Sequence, residues 1–340
     1  MPRRFEFDGK TIIADEVHNK KKFLSFLQSL DLKPPFIVKP NWICEDYGHF
    51  SDPHVLEWTL EFLRSLGHVI LVESYSARNM MQCTNMSPSL KFTEQELNQV
   101  RKTEEEFLKR TKIHRTLQKL KIEYVNVAEE VLKQSVVDSN FVKNHVVSKF
   151  GPVSRSELYG FVPKRLYSLR NGTFINMAKF KVFFSMCTKN LFGLIPEYVG
   201  YGSRFSYHGK ADRDLPRNIV DINKIYRTLF TVVGLVEGIN TLTCDLQDSN
   251  KKCKSVFGYE YGVLEDLGLL YYSDEPLWLD AFIHQQCGRN PSETKHLALA
   301  ASTFRTWPPE LLDTAGKMPD PLEIGVNPRK EILNKMNPKR

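Results

Sequence analysis

Short apolar runs alternate with longer amphipathic segments along much of the chain. The apolar runs predict five buried strands, at residues 36–38, 68–73, 122–127, 173–177 and 231–236. Segments with helical spacing lie between or after them, at residues 22–30, 53–66, 94–117, 219–230 and 277–286. This alternation predicts an α/β fold, with a mainly parallel sheet, helices on both of its faces and long functional loops at the carboxyl edge of the strands. The strands at 36–38 and 68–73 are expected to be neighbours in this sheet.

Several helix ends have their own sequence signals. Asp52 followed by Pro53 predicts an N-cap and a first helical turn, and Gly67 is expected to end that helix in the left-handed conformation. Thr93 and Glu96 have the spacing of a capping box. The long charged helix that follows them is expected to break near Thr111.

The rest of the chain gives weaker patterns. Residues 128–171 show no clear periodicity, apart from an expected extended piece around residues 157–162. We also expect a polar loop at 241–256 and a further strand at 267–272. Residues 200–214 form a long loop rich in glycine and tyrosine, and loops of that length are often functional.

The domain organisation follows from these patterns. Residues 1–290 are expected to form one α/β domain, for which a division into two lobes at about 1–135 and 136–290 stays open. Residues 291–340 are expected to be a partly irregular, basic C-terminal extension with one short apolar piece at 296–304.

Composition and charge exclude some classes of function. The 340 residues include 47 basic and 40 acidic side chains, a net charge of +7, but no nucleic-acid-binding motif accompanies the basic runs. Nucleic acid is therefore an improbable partner. The six cysteines include no Cys-x-x-Cys pair, so neither a zinc nor an iron–sulfur motif is present locally and the cofactor stays unknown.

The same features predict a location. The first residues lack the apolar core of a signal peptide, and no apolar run reaches the length of a membrane span. We therefore expect a soluble cytoplasmic protein with reduced cysteines and no membrane partner. The oligomeric state stays open.

The candidate chemistry centres on residues 176–193. Lys179 and Lys181 follow a predicted strand, and Lys189 and Asn190 precede a turn that contains Gly193. Lysines at the carboxyl end of a strand, near a glycine turn, are a common way to build an anion site in an α/β fold. The alternative is a buried strand whose lysines merely extend to the surface.

Taken together, these segments resemble a known family. The chain resembles the uncharacterised family "domain of unknown function 362" over roughly residues 36–288. The matching pieces are 38–41, 52–53, 176–181, 189–193, His208, 219–221, 233–238 and 275–280. It departs from the family where Glu237 and Glu275 replace the usual aspartates and Val182-Phe183 stands where a histidine is usual. It also lacks the ferredoxin cysteines of members that are fused to iron–sulfur modules.

The residues and the resemblance together indicate a set of site residues. Lys189 is the candidate nucleophile or anion-binding lysine, and His208 is a candidate acid, base or ligand. The remaining candidates are ligand-binding residues: Lys39, Asn41, Lys179, Lys181, Asn190, Gly193, Glu237 and Asp280. Whether they hold a metal is unknown.

Two functions fit this set. The first is an enzyme that acts on a small anionic metabolite, or uses a phosphorylated cofactor, in a lysine-lined pocket with Lys189 at its centre. The second is a non-catalytic module that binds an anionic ligand or a protein partner. The sequence does not name the reaction or the substrate in either case.

Overall fold

The computed structural model describes residues 2–76, 93–181, 186–197, 204–243, 249, 251–255 and 258–322. Within these ranges ten strands form one mixed sheet, accompanied by twelve α-helices. The strands are β1 (Arg3–Phe7), β2 (Lys10–Glu16), β3 (Phe36–Lys39), β4 (Val69–Glu73), β5 (Glu123–Asn126), β6 (Thr173–Lys181), β7 (Thr231–Thr243), β8 (Lys251–Lys254), β9 (Glu260–Leu264) and β10 (Leu269–Ser273).

The helices lie between and after these strands. They are α1 (Lys20–Gln28), α2 (Pro53–Leu66), α3 (Glu94–Arg110), α4 (Ile113–Leu120), α5 (Val127–Leu132), α6 (Ser139–Phe150), α7 (Lys164–Tyr167), α8 (Cys187–Asn190), α9 (Leu215–Leu229), α10 (Pro276–Gln286), α11 (Lys295–Thr303) and α12 (Pro309–Gly316). None of these helices combines the length and the apolar character that a membrane span requires.

The five strands predicted from apolar runs form the parallel part of the sheet. Their order is β5-β4-β3-β6-β7, and every neighbouring pair among them is parallel. The strands at 36–39 and 69–73 are neighbours, as predicted, and the α/β fold is confirmed. The other strands pair antiparallel, so the sheet as a whole is mixed.

Three elements differ from the sequence prediction. The hairpin of β1 and β2 was not predicted, although it turns at Asp8-Gly9, where both residues have positive φ angles of 46° and 73°. The expected loop at 241–256 contains the end of β7 and all of β8. The expected extended piece around 157–162 contains a 3₁₀ turn at Ser156–Gly160 instead.

The predicted helix ends are mostly confirmed. The Asp52 side chain accepts hydrogen bonds from the backbone of His54 and Val55, and Thr93 and Glu96 form the capping box. The long helix breaks between α3 and α4, where Lys112 has a φ of 64°. The prediction for Gly67 was wrong: its backbone is extended, with φ 167°, and a Cβ there would lie 2.6 Å from Pro34 Cβ. Close packing, not a left-handed turn, requires this glycine.

Alternate residues of β3 pack into different apolar clusters. Phe36 and Val38 belong to a cluster with Phe26 of α1 and Leu60 of α2. Ile37 belongs to another, with helices α6 and α9. The strand is therefore buried along its length, and its last residue, Lys39, ends inside the protein rather than at the surface.

Candidate functional site

Two buried lysine–glutamate pairs lie toward the carboxyl edge of the parallel part of the sheet. Lys39 at the end of β3 contacts Glu73 at the end of β4, with 2.5 Å between Nζ and Oε2. Lys179 of β6 contacts Glu237 of β7, with 3.0 Å from Nζ to each carboxylate oxygen. All four residues are at most 1% exposed. Each pair links two neighbouring parallel strands, which is why residues far apart in sequence meet here.

The first pair has further hydrogen-bond partners. Lys39 Nζ also donates to the Pro40 carbonyl at 2.9 Å and to Asn190 Oδ1 at 3.1 Å. Burial lowers the pKa of Lys39 and raises that of Glu73, and the charge of each partner opposes the shift of the other. The pair is thus held by close contact in a site that water does not reach.

Arg204 extends this network. Its guanidinium donates to Glu197 Oε2 at 3.1 Å, to the Gly193 carbonyl at 3.0 Å and to the Tyr75 carbonyl at 3.0 Å. It also lies 3.9 Å from Glu73 Oε1. Arg204 therefore ties the turn after α8 to the end of β4.

Gly193 lies directly against the first pair. A Cβ at this position would be 2.6 Å from Lys39 Nζ and 2.6 Å from Glu73 Oε1. Because real Cβ atoms do not approach other atoms so closely, any larger residue here would force the Lys39–Glu73 pair to shift.

The second pair borders the start of α2. Glu237 Oε1 accepts a hydrogen bond from the Asp52 backbone N–H at 3.0 Å as well as the bond from Lys179. Burial raises the pKa of Glu237 to about 7, and the charge of Lys179 opposes that shift. Glu237, predicted as a ligand-binding residue, thus lies between a lysine and a helix start.

Helix α8 is fixed by buried side chains. Asp280 accepts hydrogen bonds from the backbone N–H groups of Cys187 and Thr188, at 2.8 and 2.7 Å, and burial raises its pKa to about 6. Asn190 donates to Asn176 Oδ1 at 2.8 Å. These contacts position the short helix that carries Lys189.

Lys181 and Lys189 differ from the two buried lysines. Both are partly exposed. Lys181 Nζ donates to Asn41 Oδ1 at 3.4 Å, and among the described residues it forms no ion pair with a carboxylate. Burial, and next the charge of Lys189, lower the pKa of Lys181 to about 7. Burial lowers the pKa of Lys189 to about 8, and the charge of Asp212 opposes that shift.

His208 contacts Asp212. Its Nδ1 is 2.8 Å from Asp212 Oδ1, and its ring packs edge-on against Phe192 with 5.5 Å between centroids. Since Asp212 also acts on Lys189, His208 belongs to the surroundings of that lysine. Its catalytic role stays a prediction.

The predicted lysines converge, but not as one open rim. Lys39, Lys179 and Lys189 all lie close enough to Lys181 to lower its pKa. Lys39 and Lys179 are buried in ion pairs, whereas Lys181 and Lys189 are partly exposed. Sequence reasoning missed Glu73 and Arg204. The apolar strand at 68–73 ends in this glutamate, so the strand-end argument that singled out the lysines applies to it as well.

No metal centre is formed by the described residues. Among them, no group of three or more histidine, cysteine, aspartate or glutamate side chains is arranged to hold a metal ion.

The comparisons with known proteins give one match. A family model described as Domain of unknown function (DUF362) matches residues 37–285. No curated protein and no solved structure matches the chain. The matched range spans all four strand ends of the site and the helix that carries Asp280.

Proposed function

The chain belongs to the family described as Domain of unknown function (DUF362), and from the geometry of its site we propose that it is an enzyme that binds a small anionic metabolite, or a phosphorylated cofactor, at Lys181 and Lys189. One observation carries the proposal. Two lysines lie within electrostatic reach of each other at the carboxyl edge of parallel strands, and Lys181 has no ion-pair carboxylate in the described part of the chain.

The charge balance around these lysines supports an anionic ligand. Lys39 and Lys179 are already neutralised by Glu73 and Glu237 at short distances. Burial disfavours the charged form of both Lys181 and Lys189, and the positive charge of Lys189 further disfavours that of Lys181. An anion placed between them would relieve both costs, as a phosphate or carboxylate does in a cationic site.

The lowered pKa values support catalysis rather than binding alone. A lysine that titrates near pH 7 or 8 can donate or accept a proton, or act as a nucleophile, under ordinary conditions. His208 contacts Asp212, whose charge acts on Lys189, and it is a further candidate for proton transfer. The reaction itself is not assigned.

The proposal includes the setting of the site. Helices cover both faces of the sheet, and the loops at the carboxyl edge, residues 40–52 and 204–214, hold the ligand in place. The cytoplasm suits the described cysteines, since Cys44, Cys187, Cys253 and Cys287 are free thiols.

Calorimetric titration tests the proposal. Wild type should bind inorganic phosphate or small carboxylates, and Lys181→Met and Lys189→Met should each weaken binding by roughly tenfold or more, the range for loss of a charged hydrogen bond. Lys143→Met, which removes one exposed lysine of α6, should bind as wild type does. If no anion binds wild type, or if all three variants lose affinity equally, the proposal fails.

A charge-preserving variant separates the enzyme from a non-catalytic binding module. Lys189→Arg keeps the positive charge but cannot act as a base or nucleophile at neutral pH, since arginine stays protonated. An enzyme should retain anion binding in this variant and lose turnover. If turnover of an identified substrate is unchanged in Lys189→Arg, the residue serves binding only.

A further inference from the structure

A cavity that the proposed function does not use lies at the amino-terminal edge of the parallel strands. Its volume is about 380 Å³, and its walls come from the β1–β2 hairpin, the residues after α1, the starts of β6 and β7 and the end of β10. Small-molecule pockets have volumes of about 300–1,000 Å³. Strand β6 runs from Thr173 at this edge to Lys181, on the order of 25 Å away at about 3.3 Å per residue, so the cavity is separate from the proposed anion site.

A buried tyrosine lines this cavity. Tyr272 of β10 is 4% exposed, and its ring packs in the apolar cluster that β3 shares with α1 and α2. Its hydroxyl forms no hydrogen bond within the described ranges. Buried polar groups in proteins are nearly always hydrogen-bonded, so this hydroxyl calls for a partner.

The surroundings of the Tyr272 hydroxyl locate it at the cavity wall. Burial, and next the charges of Asp274 and Asp31, raise the pKa of Tyr272, whereas the charge of Arg4 lowers it. These three charged residues line the same cavity and come from separate segments of the chain. The hydroxyl is therefore protonated and faces the space that they enclose.

The charges that line the cavity balance. Arg4 and Lys33 are its cationic residues, and Asp31 and Asp274 are its anionic ones. Asp274 also pairs with Lys10, with 3.4 Å between Oδ2 and Nζ. Because neither sign of charge predominates, the cavity suits an uncharged ligand, in contrast to the site at Lys181 and Lys189.

The rest of the lining combines hydroxyl groups with an apolar surface. Ile13 and Val233, at 2% and 4% exposed, supply the apolar part. Hydroxyl side chains come from Thr11, Ser29, Thr173, Thr231 and Tyr272. A sugar or polyol matches this composition, because its hydroxyls both donate and accept hydrogen bonds while its C–H groups pack against apolar side chains.

The wall around β6 is held in place before any ligand arrives. Thr173 Oγ1 donates to the Lys33 carbonyl at 2.9 Å and accepts from the Lys33 backbone N–H at 2.9 Å. Gly172 packs directly on the backbone of Pro35, where a Cβ would lie 1.7 Å from the carbonyl oxygen. A preformed cavity requires less ordering when a ligand binds.

We propose that this cavity binds a neutral polyhydroxylated small molecule of about the size of a monosaccharide, and that the Tyr272 hydroxyl is one of its hydrogen-bond partners. The site goes beyond the proposed function and does not depend on it, since the two sites lie at opposite edges of the sheet.

Titration by saturation-transfer NMR tests the proposal on the full chain, with D-ribose, D-glucose and myo-inositol as probes. At least one of the three should bind wild type. Tyr272→Phe keeps the ring in the core but removes the hydroxyl, so it should weaken that binding by roughly two- to tenfold, the range of one neutral hydrogen bond. Its melting temperature, measured by circular dichroism, should not fall, because the hydroxyl has no hydrogen bond to lose in the described structure. Thr231→Val removes another hydroxyl of the lining and should also weaken binding.

The neighbouring tyrosine provides a matched control. Tyr271 belongs to a different apolar cluster, on the other face of the sheet, and its hydroxyl donates to Gln286 Oε1 at 3.1 Å. Tyr271→Phe should therefore lower the melting temperature and bind the probe as wild type does.

The inference is overturned if none of the three probes binds wild type. It is also overturned if Tyr272→Phe binds the probe as wild type does, or if the two tyrosine variants weaken binding equally. Inorganic phosphate should not displace the bound probe. Displacement would place the probe at Lys181 and Lys189 instead of in this cavity, and would likewise overturn the inference while leaving the anion site in place.

Discussion

At the scale of single residues, Lys39 and Glu73 illustrate the free-energy cost of burying charged groups in this site. Moving two charges into a dry interior is unfavourable, and their close contact, 2.5 Å between Nζ and Oε2, offsets it only while both are present. Asn190 and the Pro40 carbonyl satisfy the other lysine protons. The pair is therefore expected to be far more sensitive to loss of one partner than a surface ion pair is.

Glu73→Gln tests this expectation. The change leaves Lys39 buried beside a neutral amide, and we expect the free energy of unfolding to fall by about 3–5 kcal/mol. Urea denaturation followed by circular dichroism measures the loss. The control, Glu61→Gln, breaks the ion pair between Glu61 and Lys20, in which both side chains are 44% exposed. It should lower the free energy of unfolding by less than about 1 kcal/mol. Equal losses in the two variants would contradict this description of the buried pair.

Gly193 is the second residue with a specific requirement. In Gly193→Ala the new Cβ would meet Lys39 Nζ and Glu73 Oε1, each at 2.6 Å, and these atoms are held by the surrounding network. We expect a loss of about 1–3 kcal/mol in the free energy of unfolding, the usual cost of overpacking. Gly160→Ala is the matched control, because a Cβ there has no neighbour within 4 Å. A Gly193→Ala protein as stable as Gly160→Ala would show that the ion pair can move aside.

At the scale of elements, the pattern of apolar runs was sufficient for the parallel strands. Strands buried on both faces are often continuous apolar runs, and β3 and β4 have this form up to their last residue, whereas β6 is buried but contains Asn176 and Lys179. The hairpin of β1 and β2 was missed because neither strand is a continuous apolar run of the kind that identified the parallel strands. The Asp8-Gly9 turn between them is nevertheless a strong hairpin signal.

The candidate site was predictable only in part. Lys39 and Lys181 follow from the rule that strand ends meet at one edge of a parallel sheet. Their partners depend on the order of the strands, and the sequence pattern predicted only that β3 and β4 are neighbours. The contact of Lys179 with Glu237 requires β6 and β7 to be neighbours as well.

Helix α8 gives a prediction at this scale. Asp280 accepts hydrogen bonds from the first two backbone N–H groups of the helix. In Asp280→Asn an NH₂ group replaces one of the two acceptor oxygens, so a donor would face a backbone N–H, which is also a donor. We expect Lys189 to lose its fixed position, so that phosphate affinity measured by calorimetry falls by about tenfold. Asp313→Asn, an exposed residue of α12, should bind as wild type does. Unchanged affinity in Asp280→Asn would mean that α8 is positioned by its other contacts.

At the scale of the whole molecule, the site has a defined pH response. Anion binding needs protonated lysines, and the pKa values of Lys181 and Lys189 lie at about 7 and 8. Sulfate keeps its charge throughout this range, so its affinity should fall as the pH rises from 6 to 9. In Lys181→Arg the first part of the fall should disappear, since arginine stays charged. A flat profile in wild type would mean that neither lysine titrates in this window.

The central claim is that Lys181 and Lys189 form the anion-binding part of the site, and NMR titration of lysine side chains labelled at Cε tests it most directly. The Lys181→Met and Lys189→Met spectra assign the two signals. We expect both lysines to titrate between about pH 7 and 8 in the absence of anions, and both pKa values to rise when sulfate or phosphate is added, because a bound anion favours the charged amines. Two signals that titrate near pH 10.4, as ordinary lysines do, and that do not respond to either anion would contradict the claim.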